Sequence, residues 1–284
     1  MILYNHCMKM LVSHESPIQL FEESLQYNDY QYCLVHLMEE SDEYRDWFLN
    51  VNKRFGSDVL LDNSIFELGE SFDPEKYAYW LKEINPNYYI IPDVLEDATG
   101  TMQQWQDWEQ KYESVDCKAA KIGVVQGKTW QDLINCYKFM SHEADYIAIS
   151  FDYSYYKITG VGYNKLELWC SGRQKFIQQL VDLGIWNWSK PHHLLGCSLA
   201  KEFKYYVDNR ITNIRSCDTS NPIVAALKGL RYNGDLGLQE KPSTMLCDLI
   251  NAEVDDDVLE DVKYNTTMFK HILGRYNEKQ LSLV

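Results

Sequence analysis

The chain has 284 residues, 45% hydrophobic and 24% charged, with 27 Lys and Arg against 42 Asp and Glu, a formal net charge of −15. That length suits one large α/β domain or two ordinary ones, and the composition excludes disordered and collagen-like classes. No apolar run reaches the ~18 residues that a membrane-spanning helix requires, so no membrane partner is expected.

The opening "MILYNHCMKMLVSHESP" lacks a basic stretch followed by a long apolar core, which argues against a secretory leader. The eight cysteines come no closer than 19 positions, at Cys117 and Cys136, which excludes CxxC zinc ribbons and argues against a small disulfide scaffold. Free thiols in a reducing cytoplasm are the expectation. The acidic balance disfavours nucleic acid as a partner, but it is uneven. From Lys157 to Lys241 there are 12 Lys and Arg against 7 Asp and Glu, leaving 15 against 35 elsewhere. A basic third on an acidic body can hold a phosphate backbone, or can simply be solvated surface.

In chain order, eight short β-rich runs stand out: residues 7–13, 31–37, 58–62, 88–93, 121–126, 146–151, 193–198 and 212–218. Between them lie amphipathic segments with helical spacing, including "DEYRDWFLNVNKRF", "PEKYAYWLKEI", "TMQQWQDWEQKY", "WQDLINCYKFM", "RQKFIQQLVDLGI" and "LAKEFKYYVDN". Strands alternating with helices predict βα units and a parallel sheet, and eight of them predict a closed (β/α)8 TIM barrel. An open doubly wound sheet is the alternative, but "TGVGYN" (159–164) is too glycine-poor for a dinucleotide turn and follows no convincing strand. Beyond Leu238 the pattern changes to two or three short helices with an acidic stretch at Asp255–Asp257, read either as a solvated helix face or as Mg²⁺ ligands. The division expected is therefore a barrel over 1–238 and a helical C-terminal appendage over 239–284.

In such a barrel, catalytic residues sit at the C-terminal strand ends. Those ends read Asp62, Asp93, Gln126, Ser150–Phe151, Gly196–Ser198 and Asp218. One aspartate there is an ordinary N-cap; three in register suggest a shared site. Two carboxylates facing an anomeric carbon can break an N- or O-glycosidic bond, one as nucleophile and one as acid/base. A further Asp and a Gln suit the donor and acceptor edge of a planar heterocycle. The scheme needs no metal or cofactor, and adjacent His192 and His193 make poor joint ligands because strand neighbours point to opposite faces.

These residues resemble the tRNA-guanine transglycosylase superfamily, most nearly its DNA-modifying members, often phage-encoded, which insert 7-deazaguanines. "LLDNSIFELG" is similar to that family's Asp-Ser-Gly-Gly-Phe-Gln segment, keeping Asp62 and Phe66 and losing both glycines. "YYIIPDV" answers the strand that ends in a base-reading Asp, here Asp93. "IGVVQGKTWQDL" is close to its Gly-Ile-Val-Gln-Gly motif, giving Gln126 and Gly127. In "DYIAISFDYS", Ser150 and Phe151 replace glycines, and "HHLLGCS" contributes Leu195 and Gly196. "NIRSCDTSNP" offers Cys217 and Asp218, with the aspartate displaced by a residue or two.

The resemblance spans about residues 7 to 230 and implies guanine exchange for a 7-deazaguanine, such as 7-cyano-7-deazaguanine, through a covalent Asp218 intermediate. It implies Asp62 as general acid/base, and Asp93, Gln126, Gly127, Ser150, Phe151 and Gly196 around the base, with Phe66 and Leu195 on its faces. Barrel core is the other reading for Phe66 and Leu195. The absent zinc subdomain leans the polymer towards DNA over tRNA. Lys157, Lys165, Arg173, Lys201, Lys204, Arg210 and Arg215 are candidates to grip its backbone, and the acidic balance leaves room for a protein partner. A cytoplasmic location, in a host cell if phage-encoded, is implied. Three alternatives stand beside this reading: a tRNA transglycosylase, a non-catalytic nucleic-acid-binding barrel of the same superfamily, and a glycoside hydrolase.

Overall fold

A computed structural model describes residues 10–112, 118–151, 153–196, 199–233 and 246–273. The first half contains β1 (Leu11–His14), α1 (Phe21–Tyr27), β2 (Gln31–Leu34), α2 (Leu37–Glu40), α3 (Asp42–Phe55), β3 (Val59–Asp62), α4 (Ile65–Leu68), α5 (Pro74–Ile84), β4 (Tyr88–Ile90), α6 (Ala98–Tyr112) and β5 (Ala120–Val125). The second contains α7 (Trp130–Glu143), β6 (Tyr146–Ile149), α8 (Ser154–Thr159), α9 (Lys165–Asp182), β7 (His192–Leu194), α10 (Glu202–Asp208), β8 (Ile214–Thr219), α11 (Asn221–Leu227) and α12 (Asp256–Ile272).

All eight strands pair in parallel in the order β1-β8-β7-β6-β5-β4-β3-β2, a (β/α)8 TIM barrel. The β1–β2 seam is closed mainly by two side chains. Asn28 Oδ1 accepts from His14 N at 2.7 Å, and Asp29 Oδ2 accepts from Val12 N at 2.9 Å. Asp29 N completes the seam by donating to Val12 O at 2.9 Å.

The pleat divides each strand between barrel interior and helical shell. On β8, Ser216 and Asp218 face inward, and on β7 His193 joins them. His192 faces outward, stacked 3.7 Å from Trp186 and bonded to the Tyr137 hydroxyl at 2.9 Å. Burial drives the His192 imidazole down to about 3, so it stays neutral and structural.

Several boundaries differ from expectation, among them those of β1, β4 and α9. β1 begins at Leu11, while residues 7–9 lie outside the described residues. β4 stops at Ile90: Ile91 N still bonds Ile122 O at 3.0 Å, but Pro92 has no N–H to continue the ladder. α9 begins at Lys165 rather than near Arg173, because Asn164 caps it by accepting from Glu167 N at 2.9 Å.

Among the described residues of the C-terminal region there is one 17-residue helix, preceded by a short 3₁₀ turn (Cys247–Leu249). Its acidic stretch is a helix start. Asp255 accepts from Val258 N at 2.9 Å, and Asp256 and Asp257 occupy the first turn, where the helix dipole favours negative charge. Among the described residues, no group of three or more His, Cys, Asp or Glu is arranged to hold a metal ion. Buried Asn265 fastens α12 to the barrel, donating to Pro222 O at 3.2 Å and Leu230 O at 2.9 Å and accepting from Tyr232 N at 2.8 Å. The expected boundary at 238/239 falls outside the described residues.

A buried ion pair ties the outer shell to the barrel's C-terminal rim. Arg173 of α9 is wholly buried, bonding both Glu202 oxygens at 2.8 and 2.7 Å. Its remaining nitrogen donates to Ile149 O at 3.2 Å and Leu195 O at 2.8 Å, the ends of β6 and β7. Removing one partner strands the other charge in the interior. Arg173→Met is expected to lower unfolding free energy by about 3–5 kcal/mol, measured by urea denaturation. Arg173→Met with Glu202→Met should recover most of that loss.

Candidate active site

At the C-terminal end of the strands lies a cavity of about 790 Å³, within the size range of small-molecule sites. Asp62, Asp93, Gln126 and Asp218 all line it. Ser150, Phe151, Leu195, Gly196 and Phe66 line it too. Nine of the ten residues expected to act on the base or sugar thus share one chamber.

The tenth, Gly127, is a correction. It does not line the cavity but packs on the start of α7, where an added Cβ would come within 2.8 Å of Leu133 N.

Asp62 ends β3, buried to 8% exposure. Ser64 N donates to its Oδ2 at 2.9 Å, and the Tyr32 hydroxyl supplies a further hydrogen bond. Burial outweighs these contacts, and the charges of Asp93 and Asp218 add to it, so the Asp62 carboxyl is pushed up from 3.8 to about 8. Ser64 holds φ 59, a left-handed conformation, at a position that the resembled segment fills with glycine. A serine in that conformation carries a local cost of about 1–2 kcal/mol.

Asp93 lies beyond β4 and is also buried. Asn63 Nδ2 donates to its Oδ1 at 2.7 Å and Gln126 Nε2 to its Oδ2 at 2.6 Å. Gln126 is oriented in turn by Glu96 N, which donates to its Oε1 at 2.8 Å. Burial raises the Asp93 pKa against these two amide bonds. Each carboxylate oxygen keeps a lone pair for a ligand donor.

Asp218 faces donors. Gly196 N lies 3.1 Å from both carboxylate oxygens, aimed there by a left-handed turn at φ 63. His193 Nε2 sits 3.0 Å from Oδ1. Behind it, His193 Nδ1 meets Ser216 Oγ at 2.8 Å, and Ser216 Oγ meets the Tyr146 hydroxyl at 3.0 Å. If Nε2–H points at the carboxylate, Nδ1 is the acceptor, and the Ser216 and Tyr146 hydroxyls each donate one step inward.

The stacking candidates separate. Phe66 is 57% exposed on the cavity wall, so it is not barrel core. Leu195 is half-buried on the wall, while Phe151 is buried between the Arg173 guanidinium and Trp169.

The basic residues separate further. Lys157 and Lys165 lie over the Trp169 ring at 5.2 and 4.2 Å, beside the mouth. Lys201 bonds Glu167 at 2.7 Å on the same side. Arg173 is the internal strut described above, with no surface to offer a polymer. Lys204 pairs with Asp208 along α10. Arg210, after α10, and Arg215, the second residue of β8, belong to the N-terminal end of the barrel, away from the mouth. Of the seven, Lys157, Lys165 and Lys201 lie beside the mouth, Arg173 is turned inward, and Arg210 and Arg215 follow as α10 carries the chain back towards the opposite face.

Sequence reasoning missed His193, Tyr32 and Asn63. His193 was legible in part, since in "HHL" one imidazole must face inward. Asn63 and Tyr32 carry no sequence signal beyond their strands. Glu15, Glu67 and Asp248 also line the chamber, which makes six carboxylates with the three aspartates, against Lys165.

The raised Asp62 carboxyl has a stability consequence. Its folded pKa lies above the unfolded 3.8, so the folded chain holds the extra proton between pH 3.8 and about 8 and loses stability as pH rises through that window. Asp62→Asn should therefore raise Tm by several degrees at pH 8, with the difference vanishing near pH 4 in paired thermal melts.

No family model matches this chain, and no curated protein does. Among solved structures it is similar to N-(5'-phosphoribosyl)anthranilate isomerase from Pyrococcus furiosus, at 9% identity and TM-score 0.46 over 95% of this chain and 100% of that one. It is similar to an HpcH/HpaI aldolase from Desulfitobacterium hafniense, at 12% identity and TM-score 0.48 over 78% and 89%. N-acetylneuraminate lyase from Mycoplasma synoviae matches at 9% identity and TM-score 0.42 over 92% and 96%. Likenesses of this size bear on neither substrate nor chemistry, and the barrel stands on its own strand pairings.

Proposed function

We propose that this chain is a guanine transglycosylase that exchanges guanine in DNA for a 7-deazaguanine. One observation carries the reading: two buried strand-end aspartates share a cavity but differ in their partners. Asp62 has its pKa raised by burial and by the charges of Asp93 and Asp218, while both oxygens of Asp218 meet the Gly196 N–H and one meets the His193 imidazole. Environments that separate two carboxyls in this way suit one as proton donor and the other as nucleophile.

In the exchange, an Asp218 oxygen attacks C1′ of a guanine nucleotide as the glycosidic bond breaks. Protonated Asp62 gives its proton to the departing guanine, leaving a glycosyl ester on Asp218. The incoming 7-deazaguanine then displaces Asp218 from C1′ and gives its ring proton to Asp62, which restores both groups. Asp93, held by Asn63 and Gln126, reads the donor-rich edge of the base, and Phe66 and Leu195 meet its faces. A base stacked in a duplex cannot reach this chamber, so the nucleotide enters extruded or single-stranded. The acidic lining, in which Asp62 is the protonated member, disfavours phosphate, which fits a base entering alone while the backbone stays near Lys157, Lys165 and Lys201.

Purified protein incubated with labelled guanine and, separately, duplex DNA, single-stranded DNA or tRNA should transfer label to DNA. Asp218→Ala should abolish transfer and leave DNA retention unchanged. Label confined to tRNA would move the reading to that polymer, and label in none would sink base exchange. His193 is a positioning residue for the nucleophile. His193→Phe is expected to lower kcat about 100-fold with little change in KM, and His193→Gln, which can restore a donor, to recover part of the loss in the same assay.

A further inference from the structure

The segment from Ser154 to Lys165 has no role in the chemistry above, yet it exposes apolar side chains. Ile158 is 82% exposed, Val161 69% and Tyr163 103%, so the tyrosine ring projects clear of the surface. Exposed apolar groups gathered on one short segment call for a partner.

The backbone beneath them is fastened to α9. Ser171 Oγ accepts from Val161 N at 2.6 Å and lies 2.8 Å from Val161 O. Glu167 Oε2 accepts from Tyr163 N at 2.9 Å, and Lys175 Nζ donates to Thr159 O at 2.7 Å. Gly160 and Gly162 permit the close approach: a Cβ on the first would lie 1.9 Å from Leu168 O, and on the second 2.4 Å from Glu167 Cβ. The segment is thus a braced platform with three apolar groups turned outward.

Its position selects the occupant. Asn164, Lys165 and Leu166, directly after Tyr163, line the cavity. Between Tyr153 and Leu166 there are two lysines, Lys157 and Lys165, and no acidic residue, in a chain of net charge −15. Apolar side chains flanked by lysines at the rim of the chamber match what an extruded base leaves behind: an unstacked gap between two phosphates.

We propose that Tyr163, supported by Val161 and Ile158, is a wedge that enters the DNA stack vacated when a guanine swings into the cavity. The wedge rests on the base-exchange reading given above. Lys157 and Lys165 steady the backbone on either side of the gap.

The test compares wild type, Tyr163→Ala and Tyr163→Phe on two substrates, a duplex and its guanine-containing strand alone. A duplex carrying 2-aminopurine beside the guanine reports unstacking with Asp218→Asn in the background, independently of chemistry. Tyr163→Ala should lose roughly tenfold or more of its exchange rate on the duplex and keep the single-strand rate, with Tyr163→Phe near wild type. The 2-aminopurine signal of the Asp218→Asn protein should fall with Tyr163→Ala and return with Tyr163→Phe. Equal loss on both substrates, or none on either, overturns the wedge, as does a 2-aminopurine signal indifferent to Tyr163. A Tyr163-dependent signal from a protein that exchanges no base would keep the wedge and sink the exchange reading instead.

Discussion

Three aspartates buried at one end of a barrel are the constraint around which the rest is arranged. An ionised carboxylate away from water is costly unless something compensates it, and three together repel one another. The fold gives each a different answer. Asp62 keeps its proton. Asp93 is held between the amides of Asn63 and Gln126. Asp218 takes a backbone N–H and an imidazole. Among the described residues no lysine or arginine bonds any of the three, so a buried pair with an ammonium or guanidinium is not the device used. It appears instead one layer outward, where Arg173 and Glu202 fix the ends of β6 and β7 and hence the turn that directs Gly196 N at Asp218.

The fold was legible in the sequence because a βα alternation is written in period-2 and period-3.6 patterns that tertiary context seldom overrides. Helices α3 and α5 match their expected segments because both ends are signalled locally, by Ser41 and Gly56 for one and by Asp73 and Asn85 for the other. Where the expectation slipped, one residue decided the matter against the pattern, as Pro92 did for β4 and Asn164 for α9. The pattern beyond Leu238 predicts helix but not the length of α12, because its acidic start reads as a solvated stretch until Asp255 is seen to cap it.

The candidate site was legible where function coincides with a strand end, which topology alone brings to one mouth. It was illegible where a residue works through a neighbour. Asn63 matters because it reaches Asp93, thirty positions away. His193 matters because β7 and β8 are paired, setting it opposite Ser216 and beneath Asp218. The basic residues failed for the converse reason. Arg210 and Arg215 cluster in sequence with Lys157 and Lys165, but each βα unit folds back on itself and carries them towards the other end of the barrel, while Arg173 stays at the rim and turns inward to Glu202.

That folding back also bears on how a chain of net charge −15 would engage a polyanion. Charge averaged over the surface matters less than the field at the point of contact, which decays within about 8–10 Å at ordinary ionic strength. The carboxylates stand inside the chamber, where a neutral, donor-rich base is welcome and a phosphate is not. The lysines at Lys157 and Lys165 stand on the rim beside the braced segment. On the base-exchange proposal, acid within and base without would divide a nucleotide at its glycosidic bond, with the heterocycle on one side and the backbone on the other. An enzyme that cuts that bond has reason to hold its two halves by opposite charges, and the acidity that first argued against nucleic acid would then be part of how one nucleotide is drawn apart from the rest.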